Sequence, residues 1–174
     1  MARKLSSRGF TIIELMVTVA IMAIGMAIAY PSFTGMIRSN RLATSTNTLI
    51  SPFNLARTEA IRSNRGGGIC MSANGTSCTT SGGWEQGWLV WTDLDGKGDL
   101  TAGEPVVRYF EANSGLTMTS DAEAIIFDQR GRLVPRTDIV LTLKSSECPK
   151  NEKLMREITV SQVGQVRFTS KVCP

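Results

Sequence analysis

The sequence predicts an α+β fold, a long N-terminal helix packed on an antiparallel β-sheet head. Three observations predict it. Residues 10–30 form an apolar run broken by one charge, Glu14. From Phe33 to Ala60 apolar residues recur at helical steps of three, four and seven. Beyond residue 68 the chain breaks into short β-branched and aromatic stretches separated by Gly, Asp, Asn and Pro clusters.

In the first element, Arg3, Lys4 and Arg8 precede the apolar run, and no charge follows Glu14 until Arg38. That is the length of a spanning helix, and the basic flank orients it with its N-terminus inside and the remainder outside. Three readings compete. Ala27-Ile28-Ala29 has the small residues of a secretory cleavage site. A simple signal anchor is the second. The third is a resemblance: Gly9-Phe10-Thr11-Ile12-Ile13-Glu14-Leu15 closely resembles the signal of type IV prepilins. It implies cleavage after Gly9 by prepilin peptidase and N-methylation of Phe10. The helix is then retained in the cell inner membrane, with the head in the periplasm. Glu14 separates the readings. A carboxylate at mid-membrane costs about 2.5–3.5 kcal/mol, less near the interface, and neither bland reading needs one. A filament does, because a paired carboxylate is tolerated; in pilins the matching residue is thought to meet a neighbour's N-terminal amine.

The second element spans residues 31–65. Phe33, Met36 and Ile37 begin an apolar stripe that continues with Leu42, Leu49, Ile50, Phe53, Ala56 and Ala60. Pro31 is expected to kink the helix without ending it. Ser51-Pro52 reads as a start signal, so a break and restart is expected there. Residues 64–68 should stop the helix. The domains are then 1–9 leader, 10–30 transmembrane and filament-core helix, 31–65 amphipathic extension and 66–174 β-rich head.

In the head, strands are expected at 69–72, 87–92, 106–110, 124–128, 139–144, 157–161 and 166–169. A fuller resemblance runs through this region. Leu55-Ala56-Arg57-Thr58-Glu59-Ala60-Ile61-Arg62 and Gly87-Trp88-Leu89-Val90-Trp91-Thr92-Asp93 are similar to blocks of the FimT/FimU/GspH class of type IV minor pilins and type II secretion minor pseudopilins. So are Gly103-Glu104-Pro105-Val106-Val107-Arg108, Ile126-Phe127-Asp128-Gln129-Arg130-Gly131-Arg132 and, last, Ile158-Thr159-Val160-Ser161 with Gly164-Gln165-Val166-Arg167. The blocks keep their order. The resemblance implies a structural, non-enzymatic subunit that assembles with other minor pilins and the major pilin, near the filament tip, priming assembly. A type II secretion pseudopilin is the alternative in architecture.

Charge is uneven: eight Lys/Arg against two acids in residues 1–65, two against nine in 66–129, and nine against four in 130–174. Loss of the leader would bring the formal charge of +4 close to +1. The basic C-terminal segment raises a second alternative. Some proteins of the resembled class are DNA receptors for natural transformation that use a C-terminal Gly-Arg-x-Arg motif. Here Gln165 stands at its first arginine, and Arg130, Arg132, Arg136, Arg167 and Lys171 are the candidate DNA-binding cations.

Cys70, Cys78, Cys148 and Cys173 all follow the apolar run, in an oxidising compartment if the head is exported. Four cysteines allow three connectivities; the pairs Cys70–Cys78 and Cys148–Cys173 are favoured because each closes a local loop. Zinc is not expected, for there is no C-x-x-C and no histidine. The lack of histidine also removes the usual general base for a Ser or Cys nucleophile, and no cofactor motif is present. Asp93, Asp95 and Asp99 with Glu104 form an acidic, Gly-rich loop. Calcium is one reading of it; a solvated hairpin turn is the other and the favoured one, because Lys97 occupies the fifth position where a ligand belongs.

Overall fold

The computed structural model describes residues 10–111 and 115–174. Among these residues are one α-helix, α1 (Ile12–Ser63), a short 3-10 helix (Trp84–Gln86) and nine strands: β1 (Gly66–Met71), β2 (Gly87–Asp93), β3 (Val106–Glu111), β4 (Leu116–Ser120), β5 (Ala124–Asp128), β6 (Leu133–Val134), β7 (Ile139–Ser145), β8 (Met155–Val160) and β9 (Val166–Lys171). The chain divides into two compact units, the second being Arg38–Pro174.

In the first unit every described side chain from Phe10 to Tyr30 is exposed, and so are Phe33, Met36 and Ile37. Thr11 precedes the helix and its hydroxyl accepts the Glu14 N–H at 3.3 Å. Thr11-x-x-Glu14 is thus a capping-box sequence that places the one carboxylate in the first turn, where the helix dipole favours negative charge.

In the second unit the helix supplies one side of the core. Leu42, Leu49, Phe53, Ala56 and Ala60 are buried, in steps of seven, four, three and four. The stripe therefore begins at Leu42. Phe33, Met36 and Ile37 are exposed and take no part in it. Ser51-Pro52 does not break the helix, which runs unbroken through it. Pro52 is instead buried near the core stripe. The helix ends at Asn64, whose φ of 53° is the left-handed turn-out that Asn tolerates.

Two antiparallel sheets face this stripe rather than the single sheet expected. One has the order β3-β2-β1-β5-β6 and the other β4-β7-β8-β9. Ile69, Val90, Ile125 and Phe127 from the first share one core with Met118, Leu141, Leu143 and Ile158 from the second. A smaller cluster of Cys70, Leu89 and Trp91, joined by Tyr109 and Ile126, lies apart from that core.

Strand β1 corrects the sequence reading most sharply. Gly66, Gly67 and Gly68 belong to the strand instead of ending the helix. A Cβ on Gly67 would strike the Ala56 carbonyl oxygen and lie 3.0 Å from the Ala60 nitrogen. A Cβ on Gly68, pointing the other way, would run into the Trp91 indole. One face is taken by the helix backbone and the other by an aromatic ring, so neither position has room for a side chain. β4 and the two-residue β6 were also unforeseen.

Candidate assembly and anion-binding surfaces

Gly9, the expected cleavage position, lies outside the described residues. Phe10 is 79% exposed and Glu14 is exposed one turn later. The apolar window of α1 has a mean hydropathy of 2.4 and none of it is buried. By length and composition it suits a membrane or the interior of a helix bundle.

The four cysteines form two disulfides in the structure, Cys70–Cys78 and Cys148–Cys173, with Cα separations of 5.7 and 5.6 Å. The second closes a 25-residue segment and ties the end of β9 to the loop before β8. Backbone bonds reinforce it: Cys173 N–H donates to Glu152 O at 2.8 Å and Asn151 N–H to Cys173 O at 3.1 Å.

The acidic loop is a hairpin connection between β2 and β3. Asp93, Asp95 and Glu104 approach one another within 4.8 Å, yet each already serves the loop itself. Asp93 accepts the Gly96 N–H at 2.7 Å and the Gly98 N–H at 3.0 Å. Glu104 accepts Leu94 N–H at 2.7 Å and Thr101 N–H at 2.8 Å. Asp95 takes the Lys97 ammonium at 2.7 Å. Burial pushes the Asp93 carboxyl above its ordinary range despite those two N–H donors, while the Lys97 hydrogen bond holds Asp95 below it. Asp99 takes no part in the cluster. The acids work as clasps that hold a tight loop.

The five candidate cations fall into different settings. Arg132 is paired to Asp128 at 3.0 Å and Lys171 to Glu157 at 3.4 Å. Arg167 donates to the Gln165 side-chain oxygen at 2.8 Å. Arg130 and Arg136 are exposed. Arg130 and Arg132 line an open groove of about 490 Å³, together with Arg65, Lys97, Asp93 and Asp128. Arg136, Arg167 and Lys171 do not line it, so the five are not one site. Arg65 and Lys97 were missed from sequence because they sit far away along the chain, at the helix exit and in the acidic loop. Asp128 organises the groove's floor: its carboxylate accepts the Arg130 N–H at 2.8 Å, the Arg132 N–H at 2.9 Å and the Arg132 Nε at 3.1 Å. Burial alone would raise this carboxyl, but those donors outweigh it and hold Asp128 below the ordinary aspartate range.

The turn after β5 and the turn between β8 and β9 meet across α1. Arg57 Nε donates to Gly131 O at 3.0 Å, and Leu133 N–H donates to Gln162 O at 3.0 Å. Gly131 and Gly164 both have positive φ, 71° and 75°. A Cβ on Gly164 would strike Gly131 O and lie 2.9 Å from the Arg57 Nε. Three of the similar sequence blocks, distant along the chain, thus converge on one packing point.

A bare apolar helix with a single first-turn carboxylate, joined to a disulfide-tied α+β head, defines a pilin-class filament subunit. The comparisons give the family. A model described as type II transport protein GspH matches residues 45–164, and one described as the prokaryotic N-terminal methylation motif matches residues 4–30. The chain belongs to the GspH family, the minor pilins and pseudopilins of type IV pili and type II secretion systems. No curated protein sequence gives a significant match. Among solved structures, the type IV minor pilin FimU of Pseudomonas aeruginosa is similar in two crystal forms. One form has a TM-score of 0.59 at 20% identity over 78% of this chain and 97% of that one; the other has 0.56 at 20%, over 76% and 99%. The minor pseudopilin EpsH of the Vibrio cholerae type 2 secretion system has a TM-score of 0.50 at 14% identity, over 75% and 97%. These likenesses establish the pilin-like fold.

Proposed function

We propose that this chain is a minor pilin of a type IV pilus-type filament, cleaved after Gly9, N-methylated on Phe10 and held in the inner membrane with its head in the periplasm. It then assembles with other pilin subunits near the filament tip, priming growth, and has no catalytic role. The observation that carries the reading is the unpartnered stretch of α1: every described side chain from Phe10 to Tyr30 is exposed, around one carboxylate at Glu14. Such a surface is stable in lipid or among like helices. In the filament core the Glu14 carboxylate meets the Phe10 amine of a neighbour, so the buried charge is paired.

A pseudopilin of type II secretion is the second reading, favoured by the description of the matching family model. Three measurements test these readings. Intact mass and N-terminal sequencing of the membrane-extracted protein should give a methylated Phe10 start; a mature chain beginning at Tyr30 would instead restore the secretory signal peptide. Deletion of the gene in its host should remove surface pili and leave protein secretion intact; the reverse result assigns the chain to the secretion system. Glu14→Ala should insert in the membrane at least as well as wild type, yet be largely absent from sheared filaments. Normal recovery there would remove any assembly role for the carboxylate.

A further inference from the structure

Strand β9 closes one end of the second sheet, so its outer edge carries no neighbouring strand. Natural edge strands are usually short, charged, bulged, interrupted by proline or covered, and of these devices β9 has only the charges of Arg167 and Lys171. β9 has six residues, no proline and an unshifted register with β8 from Val160↔Val166 to Met155↔Lys171. Its far end is pinned by the Cys148–Cys173 disulfide.

The ladder fixes which groups face out. Ser161 N–H donates to Gln165 O at 2.9 Å, making that opposed couple a bonded one. Bonded and unbonded couples alternate in an antiparallel ladder. Arg167, Thr169 and Lys171 therefore bond to β8, and the peptide groups of Val166, Phe168 and Ser170 face outward, free of any strand. On the side-chain faces, Phe168 stands opposite Ile158, which is fully buried, yet Phe168 is 48% exposed, and Val172 beyond it is 50% exposed. The core cover ends one strand too early. The opposite face presents Arg167 and Lys171; Glu157 pairs with Lys171, and among the described residues no carboxylate pairs with Arg167.

We propose that the free edge of β9 accepts, by strand addition, an extended segment of a different chain in which apolar residues alternate with acidic ones. The apolar residues cover Phe168 and Val172, the acidic ones oppose Arg167 and Lys171, and the outward peptide groups supply the bonds. A second copy of this chain does not meet that description. β9 against β9 sets two cationic faces side by side, and the other edge strands, β3, β4 and β6, contain one acid between them, Glu111. The inference stands on the head alone and is indifferent to whether the filament is a pilus or a pseudopilus.

The test uses the full chain in detergent micelles and a fluorescein-labelled nine-residue peptide alternating valine with glutamate, beside its lysine counterpart. Fluorescence anisotropy should show saturable binding of the glutamate peptide and clear preference over the lysine one, with slowed amide exchange at Phe168 and Ser170. Ser170→Pro removes one outward donor without touching the β8 ladder; binding should weaken about fivefold or more. Arg167→Glu leaves the backbone edge intact and should reverse the peptide preference, which decides the matter should the proline variant fail to fold. No saturable binding up to about 1 mM, equal binding of the two peptides, or a preference that Arg167→Glu leaves unchanged would each overturn the proposal.

Discussion

The two parts of α1 have almost opposite relations to the rest of the chain. Through Ile37 the helix shows its apolar side chains on every face and buries none of those described. From Arg38 it behaves as an ordinary core helix, with one stripe buried under two sheets and Arg38 itself paired to Glu147. The same element thus depends on an external apolar medium in one part and on internal packing in the other. Substitutions in the two parts should therefore report on different equilibria, assembly and folding.

The widest separation is expected between Phe53→Ala and Ile24→Ala. Phe53 is fully buried, and its truncation should cost the head about 3–5 kcal/mol. Ile24 is 65% exposed in the chain alone, and its truncation should leave head stability unchanged. Thermal or denaturant unfolding of the two variants in the same detergent checks this; a comparable loss from Ile24→Ala would show that the two parts are energetically coupled.

The disulfides come next. Replacing Cys148 and Cys173 by Ser opens a 25-residue loop, and a chain-entropy model gives a loss of about 3.5 kcal/mol, against about 2.5 kcal/mol for the eight-residue Cys70–Cys78 loop. Denaturant midpoints of the two double-serine variants give the order. The first variant should also release the end of β9 and speed its amide exchange; the second should not.

That contrast between the parts was readable from the residues, and so was most of the head. Residues 124–128 coincide with β5, and six further expected strands lie within a few residues of their observed ends. Leu42 to Ala60 gave the buried stripe because helical spacing survives whatever packs against it. The failures have physical causes. Gly66–Gly68 reads as a breaker by local propensity, whereas its conformation is set by what occupies the two faces, an α-helix and an indole far along the chain. Leu116-Thr117-Met118-Thr119 does alternate apolar with polar and follows the turn residues Asn113-Ser114-Gly115, but it holds no β-branched apolar residue, so local propensity marks it only weakly as a strand. The basic groove was half legible: Arg130 and Arg132 lie together in sequence, while Arg65 and Lys97 join them only through the strand pairing of β1 with β2 and β5.

Two carboxylates in that groove sharpen the comparison at low pH, because the fold shifts them in opposite directions. Asp128 is held below the ordinary range, so its stabilisation is present above about pH 4 and is lost as pH falls through its depressed value. Asp93 is raised, so the protonated form is favoured by the fold and its contribution fades as pH rises through the raised value. Asp128→Asn should remove about 1–2 kcal/mol at neutral pH and flatten the acid loss of head stability. An acid-unfolding curve that stays as steep in the variant would remove Asp128 from the account. The helix from Phe10 to Tyr30 should be blind to both.

The smallest expected effect concerns DNA. Gln165 accepts a hydrogen bond from Arg167 and so helps to fix that guanidinium. Gln165→Arg exchanges the acceptor for a second cation, and any binding of duplex DNA should tighten, fall steeply with salt and ignore base sequence. A low-salt titration of the full chain in detergent checks it. If neither wild type nor the variant binds, the basic face has no nucleic-acid role, and the head differs from the helix only in being self-sufficient.

The three glycines of β1 have one further consequence. Gly67 admits only the helix backbone and Gly68 only the indole. Sliding β1 by one residue along β2 and β5 would exchange its two faces, turning Ile69 out of the core to the side where the Trp91 indole lies. No side chain is present at these positions to absorb the error. The residues usually linked with looseness here let a helix backbone and an indole close on the two faces of one strand, and the packing is tightest where the chain carries the fewest atoms.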